Sequence, residues 1–75
     1  SIPALLEDID CKIQELAGEL YNNTIYMLNN VVKSEVFKDL IMYKRILTYK
    51  ACNSEYASTY TVEMIASRIK LLKYK

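Results

Sequence analysis

The chain has 75 residues, of which 52% are hydrophobic, and a net charge of +1. That length allows one small domain whose interior cannot take all of this apolar surface, and the near-neutral balance gives no reason for general nucleic-acid affinity. Histidine, the commonest general base and metal ligand, is absent, and a single glycine cannot build a glycine-rich phosphate loop.

Other classes fall away on similar grounds. No run approaches the ~18 apolar residues of a membrane span. No signal-peptide pattern is present, so an intracellular location is expected. Cys11 and Cys52 are too few for a disulfide framework and lack the spacing of a zinc site. Reduced thiols are the simpler expectation, with one bridge as the alternative. No cofactor is called for, and the paired acids Glu7, Asp8 and Asp10 read as the wet side of a helix. The abundance of Asn, Lys, Ile and Tyr with no Trp suits an AT-rich genome.

Charge is unevenly spread. Residues 1–32 carry five acids against Lys12 alone, whereas residues 33–75 carry nine bases against four acids. The two halves can complement each other within one bundle or between copies.

In chain order, Ile2, Leu5, Leu6, Ile9, Ile13, Leu16, Ala17 and Leu20 recur at spacings of three and four. That period gathers them on one side of an α-helix. Pro3 suits a first turn, where its missing N–H would be unpaired anyway, and Asp8 with Lys12 makes an i,i+4 pair. The stripe continues through Met27 and Val31, so helix 1 is expected over about residues 4–30, or to break at Asn22-Asn23 if those asparagines cap it. Gly18, on the polar side, either costs up to ~1 kcal/mol or admits another backbone closely. The Asn22-Asn23-Thr24 sequon lies inside a helical pattern and is discounted.

Lys33-Ser34 reads as a turn, with Ser34 as N-cap of a helix over about residues 35–52. Its main stripe is Val36, Leu40, Tyr43, Leu47 and Ala51, with Phe37, Ile41, Thr48 and Cys52 beside it. Met42, Ile46 and Tyr49 add apolar surface elsewhere, which makes this the central helix with more than one neighbour. Asn53-Ser54 is the next turn, and helix 3 is expected over about residues 56–74. The β-forming run Ser58–Val62 offers a later start, with Thr61 as the cap and Glu63 in the first turn. One stripe of helix 3 is Val62, Ile65, Ala66, Ile69 and Leu72, and a second is Tyr60, Met64, Leu71 and Tyr74.

The expected fold is all-α, a small up-down-up three-helix bundle; the alternative is a helical hairpin that dimerises into a four-helix bundle. Three helices of this sort offer more apolar faces than one core consumes. The surplus, Phe37, Ile41, Met42, Ile46, Tyr49, Tyr60, Met64, Leu71 and Tyr74, is where a protein partner is expected, either a second copy or a heterologous subunit. A non-enzymatic interaction or assembly module is therefore the leading reading. Nucleic-acid binding through Lys44, Arg45, Arg68, Lys70, Lys73 and Lys75, interleaved with tyrosines, is the alternative. Thr61–Ile69 has the texture of the first helix of a helix-turn-helix, without a recognition helix after it. Docking of helix 3 on a membrane surface is a third reading, weakened by the absence of tryptophan.

Overall fold

The computed structural model describes residues 1–22 and 28–73. Among the described residues the fold is made of three helices: α1 (Ile2–Asn22), α2 (Leu28–Cys52) and α3 (Val62–Lys73). It is an all-α bundle. Sequence positions 23–27, 74 and 75, which include Met27, most of the sequon, Tyr74 and Lys75, lie outside the described residues.

Helix α1 starts where its sequence provides a cap. The Ala4 amide donates to Ser1 Oγ at 3.3 Å and the Leu5 amide to the Ser1 carbonyl at 3.1 Å. One hydroxyl thereby satisfies a first-turn N–H that no preceding residue could reach. The periodic stripe supplies Ile9 and Leu16 to the core, with Ile2, Leu5, Leu6 and Ile13 packed against it. Ala17 is exposed, outside the face its spacing suggested.

Helix α2 begins at Leu28, so the expected turn at Lys33-Ser34 is instead continuous helix. Serine's preference for a cap is a weak prior, and tertiary contacts override it here. Asn30 is only 5% exposed and so is seated in the structure, and Lys33 Nζ reaches across to Glu19 at 3.2 Å. Further along, Lys44 Nζ meets Asp10 at 2.8 Å. Moving back along α1 from Glu19 to Asp10 thus means moving forward along α2, and the pair is an antiparallel hairpin.

The segment between α2 and α3 is built from side-chain turns. Asn53 Oδ1 accepts from the Glu55 amide at 3.0 Å, and the Asn53 carbonyl accepts from the Tyr56 amide at 3.0 Å. Ser58 Oγ accepts from the Tyr60 amide and donates to the Tyr60 carbonyl. Such local bonds give the backbone an alternative to helix. Consequently α3 begins at Val62 rather than near residue 56, with the Met64 amide donating to Thr61 Oγ1 at 3.1 Å.

Arg68 bonds to Tyr43, while Leu72, one turn further on, shares a groove with Val36 and Leu16. Helix α3 therefore runs antiparallel to α2 and parallel to α1, up-down-up. The buried core is Ile9 and Leu16 from α1, Leu40, Tyr43, Ile46 and Leu47 from α2, and Ile65 and Ile69 from α3. The sequence makes α2 the central helix, and the structure corrects this. It is α1 that packs closely against both neighbours, while the backbones of α2 and α3 stay further apart. The Tyr43 and Arg68 side chains meet across the α2–α3 gap.

Candidate interaction surface between α2 and α3

The gap is bridged by a cluster of two tyrosines and an arginine. Tyr43 sits in the core, and its ring meets that of Tyr60 edge-to-face, with centroids 5.5 Å apart. Arg68 Nη1 donates to the Tyr43 hydroxyl at 2.8 Å. The guanidinium carbon lies 5.9 Å from the Tyr43 ring centroid and 5.1 Å from that of Tyr60. Ring faces attract a cation, so two tyrosines and one hydroxyl fix the guanidinium in one place. The Tyr43 hydrogen bond is the main cause that holds Arg68 above its ordinary pKa, with the nearby Asp39 charge contributing least.

Beside this cluster is a pocket of about 260 Å³ lined by Val36, Asp39, Leu40, Tyr43, Arg68, Leu71 and Leu72. Its walls are apolar, and its two charged groups have opposite sign. Among the described residues neither Asp39 nor Arg68 forms an ion pair. Leu71 stands at the rim with 68% of its surface exposed.

Val36 and Leu72 also line a second groove, of about 370 Å³, formed with α1 by Lys12, Glu15, Leu16, Glu19, Val32 and Lys33. The cations there are already matched, Lys12 to Glu15 at 3.1 Å and Lys33 to Glu19 at 3.2 Å. The two hollows share Val36 and Leu72 as lining, and Val32 in the second is exposed.

The residues expected at an interface divide into groups. Ile46 is corrected outright: at 8% exposure it belongs to the core. It lies roughly 120° around α2 from Leu40, on the same side as Tyr43, where Arg68 of α3 is bonded. Phe37, Met42 and Tyr60 are half-buried and pack against the core, so they offer a partner only their edges. Ile41, Tyr49, Met64 and Leu71 are exposed. Ile41 and Tyr49 flank a shallow hollow on the outer side of α2 with Lys44, Arg45 and Thr48, and the Tyr49 ring leans on Tyr56 at 5.4 Å. Met64 and Leu71 share the outer side of α3. Tyr74 lies outside the described residues.

The basic residues are not gathered on one surface. Lys44 faces α1 through Asp10, whereas Arg68 faces the opposite flank of α2 through Tyr43. Arg45 and Lys70 are exposed on different helices. Lys73 closes α3, and Lys75 lies outside the described residues. Cys11 and Cys52 are both free and exposed. No cluster of potential metal ligands occurs among the described residues, and no described helix is long and apolar enough to cross a membrane.

Sequence reasoning missed Asp39, Tyr43, Val32 and Val36 as parts of a surface. The signal was there for Tyr43: a tyrosine in a main core stripe needs a partner for its hydroxyl. The exposure of Val32 carried no signal, because it depends on where α2 begins. No protein-family model matches the chain, and no curated protein or solved structure is significantly similar to it.

Proposed function

We propose that the chain is a non-enzymatic protein-association module that works through the apolar surface α2 and α3 leave uncovered. The observation that carries this reading is the exposed set Ile41, Tyr49, Met64 and Leu71, together with Val32, in a chain of 75 residues. Isolated exposed leucines are ordinary, but exposed apolar groups gathered along hollows are the usual mark of a contact surface, and here Leu71 and Val32 line two adjoining hollows while Ile41 and Tyr49 line another. Tyrosine and methionine, the residue types of Tyr49 and Met64, are enriched in interface cores. The lack of histidine fits a module that binds and does not catalyse.

The test is thermal melting over a concentration series. Association raises the Tm with concentration, because only the folded chain binds its partner. A rise of several degrees from about 5 to about 500 µM is expected. A flat Tm, with a monomer mass across the series, overturns self-association.

A further inference from the structure

We propose that the α2–α3 seam is the contact face of a twofold-symmetric dimer, in which Asp39 and Arg68 of each copy pair with Arg68 and Asp39 of the other. This deepens the association reading and rests on it, naming the occupant as a second copy of the chain. Three features of the seam support this. It carries one acid and one base that face the same pocket without pairing to each other. A surface with one charge of each sign, set on two helices, is complementary to its own copy, which is the requirement of an isologous interface.

The helix directions allow the exchange. Helices α2 and α3 are antiparallel and bound the pocket from opposite sides. A twofold axis running along them places α2 of one copy against α3 of the other without changing height along the axis. Asp39 and Arg68, which lie at the same pocket, then meet their opposites across the interface. Leu71, one turn beyond Arg68, is carried toward Val36 of the facing copy.

Shape agrees with charge. Leu71 projects at the rim of a pocket of about 260 Å³ whose walls are Val36, Leu40 and Leu72. Each copy offers a knob beside a hole of a size to take a leucine side chain, and the twofold axis puts each knob over the other hole. The guanidinium is preorganised by Tyr43 and Tyr60, so little further freedom is lost when a carboxylate docks. Among the described residues Tyr43 takes one of its N–H donors, and a guanidinium has five to offer, enough for a carboxylate as well. With one charge of each sign, the pocket offers no net attraction to an anionic lipid or phosphate backbone.

Sedimentation equilibrium of charge-reversed and rim variants tests this. D39K places two cations against each other and is expected to weaken self-association about tenfold or more. L71D replaces an exposed side chain, so the fold stays intact, and is expected to weaken self-association about 30-fold. Mixing D39K with R68E is expected to restore a dimer containing one of each, since every contact again joins opposite charges. Arg68 also braces Tyr43, so D39K and L71D, checked for unchanged helical circular dichroism, carry the test on their own. A wild-type chain that associates, with D39K and L71D associating equally well, overturns the seam and leaves the association reading standing on another face. A wild-type chain that stays monomeric overturns the twofold dimer and self-association with it, and confines the association reading to a heterologous partner.

Discussion

Ile46 and Ile41 are the same residue type on the same helix, and the structure gives them opposite fates. Ile46 is 8% exposed within the core, and Ile41 is 38% exposed on the outer side of α2. Ile46→Ala removes buried carbon atoms and leaves a cavity, for which about 2–5 kcal/mol is typical. The upper end does not apply, since the site lies beside the α2–α3 gap and can relax into it. Alanine also forms helix better than isoleucine by a few tenths of a kcal/mol. The net expectation for Ile46→Ala is about 2–3 kcal/mol of lost stability. For Ile41→Ala the smaller burial and the helix preference nearly cancel, leaving about 0–1 kcal/mol. Urea unfolding followed by circular dichroism, at concentrations below any association, measures both. In thermal melts the Ile46 variant should fall by more than about 8 °C, given roughly 4–8 °C per kcal/mol for a domain of this size. Equal losses at the two sites, or a larger loss at Ile41, would refute the placement of α3 over the Ile46 flank.

Three further outcomes test local features. Thr61→Ala removes the hydroxyl that receives the Met64 amide and should cost about 1 kcal/mol in urea unfolding; no change means α3 does not start there. Tyr43→Phe keeps the ring stacking but deletes the hydrogen bond from Arg68. It should cost about 0.5–1.5 kcal/mol, and a neutral result contradicts that bond. Gly18→Ala meets nothing within 4 Å and lies inside α1, one turn from its C-terminal end, so it should stabilise the chain by up to ~1 kcal/mol, and destabilisation would reveal a close approach by another backbone.

The sequence carries most of α1 on its face. A clean three-and-four spacing picks out Ile9 and Leu16, because one helix with one greasy side has one way to lie. Helix α2 is different. Its apolar residues surround much of the helix, and the wheel cannot tell which flank a third helix will cover. Ile46 and Met42 therefore looked like surplus, while the burial of both flanks around Leu40 and Tyr43 follows from tertiary packing. Ser34 misled for a related reason: serine's cap preference is local and small, serine is tolerated inside a helix, and α2 runs through it from Leu28. The Thr61 cap was legible because hydroxyl, spacing and a non-helical lead-in point the same way. The Asp39–Arg68 pocket was not legible, since it joins residues 29 positions apart across a gap that Tyr43 and Arg68 bridge.

The surface left by this packing is where the chain is expected to act, and one residue on it stands out. Light scattering of the wild-type chain and L71D side by side, at about 500 µM, tests the central claim most directly. The expected result is a dimer mass for the wild type and a monomer mass for the variant, with equal helical content in both. A monomer mass for the wild type, or the same dimer mass for both, would contradict association through the α2–α3 seam.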